Sequence, residues 1–163
     1  MNNERGQLGV LSLDLGSHTG FEIYSKGAFS RDLLDLTKKG KFGENGFYVF
    51  DCAVNGLIRV LQKNNIKQEI VVEKPHASRF FHSSRILFGL MGVLHLACHK
   101  KKIPLTEVSS KSVKKYWTGN GNADKPAMIA RAKQLVSRKI EDDNIADACA
   151  LMRFYLENRK EEG

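Results

Sequence analysis

The chain has 163 residues, 42% hydrophobic and 27% charged, and 26 Lys and Arg against 18 Asp and Glu give a formal net charge of +8. That length and balance fit one domain, residues 1–163, able to bury about two-thirds of its unfolded surface, and they exclude wholesale disorder. No apolar run approaches the ~20 residues of a membrane span, and the polar start Met-Asn-Asn-Glu-Arg-Gly carries no signal region, so a cytoplasmic protein without a membrane partner is expected.

Residues 1–7 and the tail 160–163 are polar and expected to fray. Residues 9–15, Gly-Val-Leu-Ser-Leu-Asp-Leu, form a short apolar run before Gly16 and Gly20, the pattern of a buried central strand. A carboxylate there is costly to bury unless it is paired or holds a cation, so Asp14 is the anomaly of the segment. Residues 21–25 and 28–34, joined at Lys26-Gly27, complete an antiparallel meander of three strands. Residues 36–43, rich in Lys and Gly, read as a loop.

Phe47, Phe50, Val54, Leu57, Ile58 and Leu61 recur at helical spacing, which predicts an amphipathic helix over 47–64. The β-branched run 69–73 is closed by Pro75 and predicts a strand ending on Glu73. A second helix over 80–99 is apolar around much of its circumference, which predicts burial, and Gly89 and Gly92 predict close packing against another element. A further β alternation covers 104–108, and Ser109 or Ser110 can cap a short basic helix ending near Trp117. After a loop over 118–124, Pro126 suits the first turn of a helix over 126–139, and the last helix covers 144–159. Hairpin strands followed by strands alternating with helices describe a mixed α/β layer. Cys52, Cys98 and Cys149 lack Cys-x-x-Cys spacing and read as reduced, mostly buried thiols.

Basic residues cluster at Lys38-Lys39-Lys41, Lys100-Lys101-Lys102, Lys111-Lys114-Lys115 and Arg131-Lys133-Arg138-Lys139. A polyanion such as DNA is the natural partner of that field. Against it, acids gather at Glu141-Asp142-Asp143 and Asp147, which suggests a cation site facing a phosphate backbone. Asp14 and Glu73 adjoin if their strands pair, while Asp143 and Asp147, four apart, share a helix face. Taken singly, Asp143 is an ordinary favourable charge at a helix start, and Glu73 a strand-end surface charge. Jointly they offer three or four hard oxygen ligands of the kind Mg²⁺ or Mn²⁺ requires.

The order strand-Asp-x-Gly, strand-Glu-x-Pro and a late Ala-Asp-Ala helix resembles the RuvC family of Holliday-junction resolvases, within the RNase H-like superfamily, over roughly residues 9–155. Lys114 and Lys125 keep the family's eleven-residue spacing around a Gly-x-Gly loop, Gly119-Asn-Gly121, and Gly92-Val93 matches a Gly-Val pair of its buried helix. The resemblance implies an α/β fold with an RNase H-like mixed five-stranded sheet flanked by helices. It implies a structure-selective endodeoxyribonuclease that nicks four-way junctions, and other branched DNA, in pairs as a homodimer through the 80–99 helix. By the same resemblance Asp14, Glu73 and Asp147 bind metal, two Mg²⁺ or Mn²⁺ per site, and Lys114 and Lys125 act on the scissile phosphate. Many members carry Asp or His three residues before the final Asp; here Asn144 stands there, and Asp143 is taken as the fourth ligand ahead of Asn144 and Asp142. Phe80 and Phe81 lie where the family pushes an aromatic against unpaired junction bases, although a helix-start pair is more often core. Arg79, Lys111 and Lys115 are further DNA-contact candidates, whereas Trp117 is expected to pack under the glycine loop. His76, His82, His95 and His99 lack zinc spacing with the cysteines. A catalytically silent junction-binding module and an RNase like the YqgF branch are the alternatives, and a bacterial or phage-infected cell the expected setting.

Overall fold

A computed structural model describes residues 8–39, 41–65, 67–77 and 79–159; the ends expected to fray, 1–7 and 160–163, lie outside these. Five strands form the main sheet in the order β3-β2-β1-β6-β7, with β1 Leu8–Asp14, β2 His18–Ser25, β3 Ala28–Asp35, β6 Lys67–Glu73 and β7 Leu105–Val108. The meander β1–β2–β3 is antiparallel, and β6 and β7 join it in parallel on the other side of β1. The mixed five-stranded α/β sheet expected from the sequence is the one observed.

Strand alternation sends neighbouring side chains to opposite faces. Leu11 and Leu13 of β1, with Ile70 and Val72 of β6, meet helices α1 Gly46–Asn64 and α2 Phe81–Lys101 in one buried cluster. Val10 and Val71 meet α3 Ser110–Thr118, α4 Lys125–Leu135 and α5 Asp143–Asn158 in the other. Ser12, Asp14, Glu22, Glu69 and Glu73 share the parity of that second face, which is why its acids meet α5.

α5 starts where Asp142 caps it, the carboxylate accepting from Asn144 N–H at 2.9 Å and Ile145 N–H at 3.1 Å. Small buried residues, Ala146, Ala148, Cys149 and Ala150, let it lie close to the sheet. Its first turn presses on Gly20, where a Cβ would stand 2.0 Å from the Asn144 carbonyl oxygen. Further along, Ser12 Oγ donates to the Ala148 carbonyl at 2.8 Å. Glu22, with no exposed surface, is held between Arg31 Nε at 2.9 Å and the Arg153 guanidinium, and Cys149 Sγ donates to it at 3.5 Å. Arg153 also lies 3.7 Å over the Phe29 ring. At the far end Glu69 accepts from Tyr155 Oη at 2.9 Å and from Arg159 in two bonds of 2.8 Å.

Several sequence expectations are corrected. Residues 36–43 contain a two-stranded ribbon, β4 Thr37–Lys38 paired with β5 Lys41–Phe42, because buried Leu36 and half-buried Phe42 anchor its two ends. The helix expected to 139 ends at Leu135, where the chain turns into residues leading to buried Ile140. α2 is buried on one side only: Ile86, Leu90, Met91 and Leu94 face the core, while Phe81, Phe88 and Leu96 are exposed. By length and composition α2 is apolar enough to cross a membrane, the one such helix among the described residues, since its few charges sit near its ends. Its contacts with α1 are those of a packed helix. Gly89 does pack closely, its Cβ position 2.4 Å from the Phe47 ring, but Gly92 faces open space. Cys98 and Cys149 are buried and Cys52 is exposed; burial pushes the two buried thiols up to about 11 and about 12.

Two substitutions test the seating of α5. Gly20→Ala forces a methyl into the Asn144 carbonyl and should cost roughly 1–3 kcal/mol of stability. Arg153→Ala leaves buried Glu22 with one guanidinium and strips the cation from Phe29, for a loss of about 3 kcal/mol. Urea unfolding of each variant reads both, and parental midpoints would refute them.

Candidate active site

Asp14 ends β1 and Glu73 ends β6, one step beyond the parallel pair Leu13↔Val72, so the two carboxylates adjoin at one edge of the sheet. α5 brings Asp143 and Asp147 to the same edge because its first turn rests on Gly20, the direct cross-strand partner of Asp14. The consequence is mutual electrostatics. Burial raises the Asp14 pKa well above the ordinary carboxylate value, and the charges of Asp147, Glu73 and Asp143 raise it further. Burial likewise lifts Glu73, against the opposing pull of Ser110, Lys114 and His76. Asp147 is pushed up to about 7, chiefly by burial and then by Glu73.

Two lysines face this acid group from different helices. Lys125 opens α4, where Asp124 caps the helix by accepting from Ala127 N–H at 3.0 Å, and its ammonium is ion-paired with Asp143. That bond raises the Lys125 pKa. Lys114, half-buried on α3, lowers both Glu73 and Asp147 by its charge. Lys111, Lys114, Lys74, His76, Ser110 and Asn122 are among the residues lining a cleft of about 730 Å³ beside Glu73. Lys115 is exposed on α3 but is not part of that lining.

The four acids expected as metal ligands thus reach one edge, yet among the described residues no three His, Cys, Asp or Glu side chains are already gathered about one point. Asp143 is engaged by Lys125 instead. The donor set still suits a divalent cation: Glu73 Oε1 and Asp147 Oδ1 are buried without a hydrogen-bond partner. A buried carboxylate oxygen left bare is expensive, and a bound ion is one of the few things that offsets the cost. Asp142 is committed to capping α5, which separates it from the ligand set.

Phe80 and Phe81 are 72% and 84% exposed, not core as a helix-start aromatic pair more often is. Arg79 is exposed beside them. Trp117 is buried, its Nε1 donating to the Met128 carbonyl of α4 at 3.4 Å, in one cluster with Ala123. Sequence reasoning missed Gly20, Glu22, Arg31 and Arg153, which position α5. The only signal was a carboxylate, Glu22, inside a strand candidate; Gly20 read as a turn boundary.

The family model for crossover junction endodeoxyribonuclease RuvC matches residues 10–153. A RuvC from Endomicrobium trichonymphae is 31% identical over 155 residues, covering 87% of this chain and 77% of that protein. A RuvC from Wolbachia pipientis is 38% identical over 84 residues, 51% of this chain, and the match spans about half, 52%, of that relative's length. Among solved structures, Thermus thermophilus RuvC in complex with a Holliday-junction substrate superposes with a TM-score of 0.74 at 16% identity, covering 94% of this chain and 96% of that one. The yeast mitochondrial resolvase Ydc2 gives 0.62 at 16% identity, covering 93% and 80%. These two likenesses establish the RNase H-like fold, and the family match over most of the sequence adds that the chain belongs to the RuvC family of crossover junction endodeoxyribonucleases.

Proposed function

We propose that this chain is a single-domain, structure-selective endodeoxyribonuclease that nicks four-way junctions in pairs with the help of divalent cations, in the cytoplasm of a bacterium or a phage-infected host. The observation that carries this reading is the pair of partnerless buried oxygens, Glu73 Oε1 and Asp147 Oδ1, in a carboxylate group flanked by Lys114 and Lys125. A silent binding module has no need to keep such a costly arrangement.

Asp14, Glu73, Asp143 and Asp147 would hold Mg²⁺ or Mn²⁺. Bound there as a pair, the cations would supply activation of water and neutralisation of the departing oxygen. The chain's own residues do the rest. Lys114 lines the cleft next to Glu73 and offers its ammonium to a phosphate oxygen, countering charge that develops in the transition state. Lys125 is held charged by Asp143 and can exchange that partner for the phosphate. Lys111, Arg79 and Lys115 contact flanking phosphates, and Phe80 and Phe81 stack on unpaired bases. Paired nicks require two sites, which a two-fold dimer supplies. The exposed side of α2, with Phe88, Leu96 and the open space before Gly92, suits a second copy's helix.

Labelled four-way, three-way, flap and duplex DNAs, each with and without Mg²⁺ or Mn²⁺, test the proposal. Paired nicks confined to branched DNA and dependent on the cation are expected; equal cutting of duplex, or none of any DNA, overturns it. Asp14→Asn should abolish cleavage while junction binding stays within a few-fold, because affinity comes from cationic contacts with phosphates. Lys114→Ala and Lys125→Ala should each slow single-turnover cleavage at saturating protein by roughly 10²–10³. Parental rates for both would remove them from the catalytic set.

Thermal melting in the presence of metal supplies a readout besides activity. Asp14, Glu73 and Asp147 keep their protons to higher pH in the folded than in the unfolded chain, Asp147 to about 7. Between roughly pH 4 and 7 the folded state binds more protons, so the contribution of these groups to stability declines as pH rises through that window. Binding a divalent cation requires the same carboxylates to release their protons. Mn²⁺ should therefore raise Tm more at pH 8 than at pH 6, and Asp143→Asn should blunt the shift more than Asn144→Ala. An equal shift at both pH values would contradict cation binding at these carboxylates.

A further inference from the structure

Lys38, Lys39 and Lys41 of the β4–β5 ribbon are all exposed. Lys38 and Lys41 face each other directly across the ladder, a like-charge pair that opposes pairing. Lys39 adds a third charge at the turn, with φ +53°. Among the described residues none of the three takes part in an ion pair. Glu44 is the one acid within residues 36–44. Asp35, just before them, accepts from Thr37 N–H at 2.8 Å and lies 3.4 Å from His18.

The ribbon is firmly mounted. Leu36 is buried; its N–H donates to the Ser17 carbonyl at 2.8 Å, and its own carbonyl accepts from Gly43 N–H at 2.9 Å. The Phe42 ring covers Gly46, whose Cβ would come within 2.4 Å of it, and lies 4.9 Å from the Phe47 ring. Phe47 in turn packs on Gly89 of α2. Three cations are thus presented on an element tied to both helices of that face.

Its location gives those charges a use. β1 ends, β2 begins and β3 ends at the sheet edge that carries Asp14. With the Ser17–Leu36 bond joining the two segments, chain reach keeps Lys39 within about 25 Å of Asp14. The ribbon extends from β3, at one end of the strand order, whereas α3 with Lys111 and Lys114 follows β7, at the other. Positive charge therefore stands toward both ends of the strand order, the ribbon on the α1–α2 side of the sheet and α3 on the side that carries the acids.

We propose that Lys38, Lys39 and Lys41 form a phosphate clamp for a duplex DNA arm leaving the cleavage point, separate from the lysines that act on the scissile phosphate. The assignment rests on the junction-nuclease reading above. At about 3.4 Å per base pair, ~25 Å places the clamp within roughly seven base pairs of the nick, where a duplex still offers a dense row of phosphates. The charge stands at the end of the sheet where Asp14 lies, so a duplex held at the carboxylates has the ribbon within reach of its phosphates.

The test compares the full chain with K38Q/K39Q/K41Q, which keeps the side-chain stems, and K38R/K39R/K41R, which keeps the charge. Junction affinity is measured across a salt series, and phosphate-ethylation interference maps the contacts. The glutamine variant should bind about tenfold more weakly near 0.1 M salt, with the log–log salt slope shallower by about 2–3, since each phosphate contact contributes ~0.9. Interference several base pairs from the nick should vanish with it, and the arginine variant should restore both. A glutamine variant with the parent's slope and interference pattern overturns the clamp, as does an arginine variant that binds like the glutamine one. A lysine set that instead serves an acidic protein partner would give that first overturning result. A parent chain that does not bind the four-way junction at all overturns the underlying reading, and the clamp with it, before any variant is compared.

Discussion

The close seating of α5 on the β1–β2 pair is the constraint on which the site depends. Asp14 and Glu73 are placed by the sheet alone, since parallel pairing brings the ends of β1 and β6 level. Asp143 and Asp147 arrive only if a helix can approach the sheet backbone almost to contact. Gly20 provides the room, and Ser12, Glu22 and Glu69 then fasten successive turns of α5. A helix held at four heights has little freedom to slide or roll, and that rigidity fixes carboxylates contributed by separate elements.

The same seating creates an electrostatic problem. Four acids brought together at a partly dry edge repel one another, and burial alone disfavours their ionised forms. Lys114 and Lys125 offset part of that cost, with Lys125 engaging Asp143 directly. The buried oxygens on Glu73 and Asp147 remain uncompensated. An acid group stabilised by cations, within a chain of net charge +8, is consistent with a partner that is itself a polyanion.

The two faces of the sheet divide the labour. α3, α4 and α5 carry acids and lysines to one face, while α1 and α2 cover the other with an apolar core and leave Phe80, Phe81, Phe88 and Leu96 exposed. Aromatic residues at the helix start and apolar residues along its outer side are different resources. The proposed nuclease would use the first against a base and the second against another copy's helix.

Much of this was legible in the linear sequence, because hydrophobic period and residue chemistry are local properties. The central strand with an unexpected Asp14, the strand ending at Glu73, the amphipathic α1 and the spacing of Lys114 and Lys125 could all be read directly. Asp143 and Asp147 could be placed on one helix face by periodicity. The tertiary structure decided what local pattern cannot encode. It decided that Gly20 is a contact surface for Asn144 rather than a turn boundary, and that Glu22 finds Arg31 and Arg153 across the fold. It also decided that a Lys- and Gly-rich stretch is an anchored ribbon and that α2 is covered on one side only. The reason is physical: whether a polar group is satisfied, a glycine crowded or an apolar face covered depends on atoms distant in sequence, and those meet only when the chain packs.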